Sequence, residues 1–222
     1  MTTPPSFQGI VFDMDGTLAA TEPLHMDAWL SVLQKAGLPF DEDWFQQWVG
    51  LSDKILAEAV VRDYAIELSV AELQEQKRNL FHATARRKAK LFEGIDEALT
   101  WLQQRIPLAM ATSSSDLDAE AVFANTQLQR FFRTIVTADR VTNVKPAPEP
   151  YLLACRELNL PPTQCIAIED SPAGVTSARR AGLIVLGVTT SKTPEQLREA
   201  HRVFPNTGAA IGWLREAMSD QR

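Results

Sequence analysis

From Gly94 to the C-terminus the chain changes hydrophobic period repeatedly, and this alternation constrains the fold more than any other feature. Stretches of helical spacing are expected over 95–104, 116–125, 148–158, 173–181 and 209–218, the fourth ended by Gly182. Short apolar runs suited to strands fall between them, over 106–112, 134–138, 165–168 and 184–188. Thr193-Pro194-Glu195-Gln196 reads as a capping box with Pro at the first helical position, which predicts one further helix before a short edge strand at Val203-Phe204. Strands that alternate with helices pair in parallel, with the helices covering both faces of the sheet. The expected fold is α/β, a doubly wound parallel sheet with a Rossmann-like core.

One more strand, Ile10-Val11-Phe12, lies far upstream, and the pattern between it and Gly94 is helical throughout. Pro23 opens a helix in which Leu24, Ala28, Trp29, Leu30, Val32 and Leu33 recur as far as Gly37. Ser52 is placed to cap a second helix carrying Ile55, Leu56, Ala59 and Val60, and Ser69-Val70-Ala71-Glu72 is a capping box opening a long helix towards Lys90. Trp29, Trp44 and Trp48 are expected to fill the core of this unit. The division that follows is an α/β core of residues 1–19 and 90–222, interrupted by an all-helical cap over 20–89.

Composition narrows the class of function. With 222 residues, 45% hydrophobic and 23% charged, the chain suits a soluble protein of one domain, or of one domain with an insert. A net charge of -6 argues against nucleic acid or an anionic membrane as partner, while leaving anionic small molecules open wherever a local cation reverses the field. Cys155 and Cys165 form neither a CxxC pair nor a metal-ligand spacing. No apolar run approaches the ~18 residues needed to cross a bilayer. Residues 1–6 are polar and lack the apolar centre of a signal peptide, so the cytoplasm is the expected compartment and a monomer the expected state.

In a parallel sheet of this kind the ligand lies beyond the carboxyl ends of the strands, so each strand end is a place to look for chemistry. The first strand runs into Asp13-Met14-Asp15-Gly16-Thr17; a period of two puts Asp13 and Asp15 on one side and Met14 on the other. The second ends in Thr112, followed by Ser113, Ser114 and Ser115; Lys145 lies near the third; the fourth ends in Glu169-Asp170-Ser171. Hydroxyls and backbone N–H groups suit a phosphoryl group, a lysine balances its charge, and grouped carboxylates suit Mg²⁺, which takes oxygen ligands and keeps several waters. Asp13, Asp170 and a backbone carbonyl near Asp15 would suffice to hold the ion.

The same residues carry a resemblance. DMDGT resembles the first motif of the haloacid dehalogenase-like phosphohydrolases, Thr112 the second, Lys145 in KPAPEPY the third, and Glu169 with Asp170 in IEDSPAG the fourth. The resemblance covers nearly the whole chain and looks closest to the branch of small sugar-phosphate phosphatases, phosphoglycolate phosphatases and β-phosphoglucomutases. It implies Asp13 as nucleophile, forming an aspartyl-phosphate, and Asp15 as the acid and base. It implies Thr112, Ser113 and Lys145 at the phosphate, and Asp13, Asp15, Glu169 and Asp170 around Mg²⁺. In the cap it points to His25 in EPLHMDAW, to Gly50 and Lys54 around the Gly50-Leu51-Ser52 turn, and to Lys77, which stands in a charged helix and could equally be solvated. Two departures stand out. Ala19-Ala20 replaces the Asp that this branch usually carries before Thr/Ser-Glu, and Asp53 stands where β-phosphoglucomutases have an Arg for a distal phosphate.

The expected activity is therefore a Mg²⁺-dependent phosphatase of small phosphorylated metabolites, sugar or polyol phosphates. The competing expectations are a β-phosphoglucomutase-type isomerase using the same aspartyl-phosphate and, from another class, a non-catalytic metabolite-binding module.

Overall fold

The computed structural model describes residues 6–48, 53–64 and 66–219. Strand β1 (Gly9–Phe12) is followed by four helices, α1 (Glu22–Lys35), α2 (Glu42–Phe45), α3 (Asp53–Asp63) and α4 (Val70–Lys88). The chain then alternates: α5 (Ile95–Gln103), β2 (Leu108–Ala111), α6 (Asp116–Thr126), β3 (Thr134–Val136), α7 (Glu149–Leu158), β4 (Cys165–Glu169), α8 (Pro172–Ala181), β5 (Ile184–Val188), β6 (Arg202–Phe204) and α9 (Thr207–Ser219). The strands form one six-stranded parallel sheet of order β3-β2-β1-β4-β5-β6. Strand order reverses direction between β1 and β4, and such a switch point opens a crevice at the carboxyl ends.

Strand periodicity separates the two faces. Ile10, Phe12 and Met14 join Leu108, Met110, Ile166, Ile168, Leu186 and Val188 in a cluster covered by α5, α6 and α9. Val11, Ala109, Ala111, Cys165, Ala167 and Val185 face the other way, against Tyr151 and Ala154 of α7 and Val175 and Ala178 of α8. Met14 thus continues the apolar face of β1 past the strand's end, which sends its neighbours Asp13 and Asp15 to the opposite side, as the spacing predicts.

The helices between β1 and α5 build a third cluster of their own, in which Trp29, Val32, Leu33, Phe45, Leu56, Val60 and Leu73 are buried, with Trp44 and Trp48 packed partly buried against it. Ser69 and Glu72 form the reciprocal capping box that starts α4. Further along α4, Phe81 and Ala85 belong to the sheet's own cluster, as do Leu24 and Ala28 of α1, so both helices are rooted in both units. The chain leaves and re-enters the sheet unit at one place: the Ala20 N–H donates to the Lys90 carbonyl at 2.9 Å, and Ala19 pairs antiparallel with Leu91.

Two local expectations need correction. The helix foreseen after Thr193 does not form. The capping-box contacts between Thr193 and Gln196 are present, but residues 193–200 make turns, mostly of i to i+3 type. The chain has only these residues in which to bring Leu197 beneath β5 and pass the His201 N–H to the Val185 carbonyl, so a regular helix has no room to propagate. The short α2 was not foreseen, because four residues carry no readable period. Ser52, foreseen as a helix cap, lies outside the described residues.

Candidate active site

Asp13 follows β1 directly, and its N–H donates to the Ile168 carbonyl at 3.0 Å, which sets it beside the end of β4. Glu169 and Asp170 are the next residues of that neighbouring strand end. Oxygens of Asp13, Glu169 and Asp170 all lie within 4.8 Å of one another, and all three side chains are buried. Lys145, brought in by the loop between β3 and α7, bridges them, donating to Asp13 Oδ1 at 2.6 Å and to Glu169 Oε1 at 2.5 Å.

The charges do not balance without help. Three buried carboxylates face one ammonium, so the cluster carries excess negative charge when ionised. Burial opposes the charge on Lys145, but Asp13 and Glu169 outweigh it and hold the ammonium above its usual range. Burial pushes the Asp13 carboxyl well up; Lys145 opposes this, while Glu169, Asp170 and Asp15 add to it. Burial, reinforced by Glu169, raises Asp170 to about 7. An all-oxygen donor set with a surplus of negative charge fits a hard divalent cation.

Glu169 is the least available of the three. Its Oε1 also accepts from the Tyr151 hydroxyl at 2.8 Å, and its Oε2 accepts from Ser171 N–H and Oγ at 3.2 and 3.0 Å. It is a brace for Lys145, leaving Asp13 and Asp170 as the more accessible oxygens. Asp170 is itself held by the hydroxyls of Thr17 and Ser191. Gly16, at φ +76°, makes the turn that closes over this group, and a Cβ there would overlap the Asp170 carboxylate.

Asp15 belongs to a different environment. Its carboxylate lies outside the acid cluster and is half-buried; Oδ1 accepts from Thr21 Oγ1 at 2.6 Å and Oδ2 from Ser114 Oγ at 2.6 Å. Its side chain is thereby engaged by hydroxyls on both oxygens, which separates it from Asp13 even though only Met14 stands between them in sequence. Thr112 is buried at the end of β2, with its N–H on the Val136 carbonyl and its Oγ1 accepting from Ser114 N–H at 3.0 Å; Ser113 is exposed beside it. Sequence reasoning reaches Thr21 only as the residue after Ala19-Ala20, and does not reach Tyr151 or Ser191. The Tyr that ends KPAPEPY is the one available signal for Tyr151.

Gly174 explains the glycine of IEDSPAG. A Cβ at this position in the first turn of α8 would overlap the Glu169 carboxylate. Gly174→Ala is therefore expected to destabilise the fold by about 1–3 kcal/mol and to lower activity by displacing the brace on Lys145. Thermal unfolding checks the first effect, and an unchanged melting temperature would count against the packing argument.

The helical unit brings its own polar group to the site. His25 and Lys77 are adjacent, with Lys77 Nζ 2.7 Å from His25 Nδ1, and Lys77 also donates to Asp53 Oδ2 at 2.6 Å. Lys77 is buried, not solvated as its charged helix would suggest; its partners come from α1 and α3, remote in sequence. Lys54, by contrast, turns outward and pairs with Glu58 at 3.7 Å, its side chain 70% exposed, so it is not gathered with the others. Gly50 lies outside the described residues.

The sequence profile described as haloacid dehalogenase-like hydrolase matches residues 10–188. The chain is 32% identical over 182 residues to the fructose-1-phosphate phosphatase of Escherichia coli, covering 82% of this chain and 96% of that protein. It is 34% identical over 181 residues to a phosphorylated carbohydrates phosphatase of Thermotoga maritima, covering 79% and 82%. The crystal structure of CbbY from Rhodobacter sphaeroides in complex with phosphate superposes with a TM-score of 0.78 at 28% identity, covering 90% of this chain and 95% of that one.

Proposed function

Because the chain belongs to the haloacid dehalogenase-like hydrolases, we propose that it is a Mg²⁺-dependent phosphomonoesterase that releases phosphate from sugar or polyol phosphates through a phosphorylated Asp13. One observation carries the assignment of roles. The two carboxylates of DMDGT occupy opposite environments, Asp13 in a buried acid cluster against Lys145 and Asp15 between two hydroxyls. Lys145 beside Asp13, joined by a bound cation, would favour its ionised form, while Asp15 stands outside that cluster and so clear of the cation. Asp13 attacks phosphorus as the bond to the leaving oxygen breaks, and Asp15 gives that oxygen its proton. Asp15 then removes a proton from water, which attacks phosphorus, frees inorganic phosphate and restores Asp13.

Lys145 balances the nucleophile and the phosphoryl oxygens, while the hydroxyls of Thr112 and Ser113 and nearby N–H groups receive the rest of the phosphoryl charge. Asp13 and Asp170 hold the cation, with Glu169 behind them as brace. When bound, Mg²⁺ neutralises phosphoryl charge that the single ammonium cannot. Residues 20–89 form a cap domain over a core of 1–19 and 90–222, a division supported by the separate helical cluster and by the Ala20–Lys90 closure. Among the described residues no helix is long and apolar enough to cross a membrane.

The test is a panel of phosphorylated metabolites assayed for phosphate release. Activity is expected to disappear in excess chelator and to return with Mg²⁺. Ca²⁺ is expected to inhibit, because it takes more ligands in looser geometry. Full activity in chelator would remove the metal from the scheme.

A further inference from the structure

Thr21, at the N-cap of α1, and His25 and Trp29 within it lie four residues apart and form one stripe. Every member of the stripe makes a polar contact. Thr21 donates to Asp15, His25 meets Lys77, and Trp29 Nε1 donates to Asp53 Oδ1 at 2.8 Å. A continuous polar ladder thus climbs from the proposed proton donor into the cap, each step about 6 Å along the helix axis. A leaving group whose oxygen takes its proton from Asp15 extends along this ladder.

The ladder fixes the chemistry offered to that leaving group. Lys77 has no acceptor and donates to His25 Nδ1, so the ring proton stands on Nε2. Burial and the Lys77 charge push His25 down to about 4, so the ring is neutral, and it stacks on Phe81 with centroids 3.9 Å apart. Lys77 is spent on Asp53: its side chain is 3% exposed and that of Asp53 39%. What remains open is a carboxylate that accepts and an imidazole that donates, with the cation withdrawn behind them. Glu22, within electrostatic reach of Asp15, Lys77, Asp53 and Lys192, adds a further acid nearby.

We propose that Asp53 sets the substrate class: with His25 it reads the hydroxyls of an uncharged leaving group, and by holding Lys77 it excludes substrates carrying a second anion at that end. This rests on the phosphatase reading above and specifies its substrates.

The experiment pairs substrates that differ chiefly by a second anion, fructose 1-phosphate against fructose 1,6-bisphosphate and glucose 6-phosphate against 6-phosphogluconate. The unaltered protein is expected to favour the uncharged member of each pair in kcat/KM by roughly tenfold or more. Asp53→Asn keeps the size and the acceptor for Trp29 but frees the Lys77 charge. It is expected to raise kcat/KM for the anionic members by about tenfold, chiefly through KM, and to lower it for the others. Adding Lys77→Met to Asp53→Asn should cancel the gain. Equal use of both members by the unaltered protein, or an unmoved ratio in folded Asp53→Asn, would overturn the proposal. Should Asp53→Asn fail to fold, the ratio in the unaltered protein, with inhibition by the anionic member, decides alone. Absence of phosphate release from every compound would overturn the phosphatase reading and this proposal with it.

Discussion

Asp13→Asn is expected to lower kcat by about four orders of magnitude or more, the scale seen when a covalent nucleophile is lost. The amide keeps the shape of the side chain and can still accept from Lys145, so the fold should survive. What disappears is the anion that attacks phosphorus, and no other carboxylate is placed to replace it. Glu169 is tied by Lys145, Tyr151 and Ser171, Asp170 by Thr17 and Ser191, and Asp15 by Thr21 and Ser114. Acid-quenched unaltered protein should carry a phosphoryl group on the peptide containing Asp13, and the variant none. Retention of more than about one per cent of the activity by Asp13→Asn would move the nucleophile elsewhere.

Asp15→Asn is expected to cost about 10²–10⁴ in kcat, the usual worth of a positioned acid and base, and to change the kinetics qualitatively. An aryl phosphate leaves without needing a proton, so Asp13 can still be phosphorylated. Hydrolysis of the acyl phosphate then lacks its base. The expected result is a burst of one equivalent of phenolate, with phosphorylated Asp13 accumulating on the time scale of the burst. Since Thr21 and Ser114 each donate to Asp15, Thr21→Val with Ser114→Ala should show a milder version of the same kinetics. Slow turnover without a burst in Asp15→Asn would mean that Asp15 serves the first step alone.

The chemistry at the strand ends was legible because a parallel sheet converts sequence position into spatial position. A polar residue that follows a buried apolar run must emerge at the same edge as every other such residue. Asp13, Thr112, Glu169 and Asp170 could therefore be grouped without knowing a single distance, whereas the close approach of Gly174 to Glu169 shows only in the folded chain. The cap offered no such rule. Helical periodicity says which face of α4 is apolar, yet Lys77 is buried by partners 24 and 52 residues away. Nothing local distinguishes it from Lys54, which turns to solvent. The hydroxyls that hold Asp15 are similarly silent, since Thr21 reads as the residue before a helix and Ser114 as one of three consecutive serines. The capping box at Thr193 shows the converse. Its local hydrogen bonds form as the sequence demands, but the return to β6 leaves no length for the helix they would start.

The pairing of Ala20 with Lys90 gives the chain a narrow neck. Everything from 21 to 89 is, for the sheet, a loop whose ends are already joined. The entropy of closing a loop grows only with the logarithm of its length, by about 0.6 kcal/mol for each doubling. The length of chain beyond the neck therefore costs the sheet little, but its sequence is not free, because Leu24, Ala28, Phe81 and Ala85 are part of the sheet's own core. Inserts of different size could be exchanged there, with strand order and register kept, where they supply the same apolar cover to the sheet's core as α1 and α4 do. Thr21 is the first residue past the neck and the one that reaches back to Asp15, so a replacement insert would need to preserve that hydroxyl as well as the apolar residues it returns to the sheet's core.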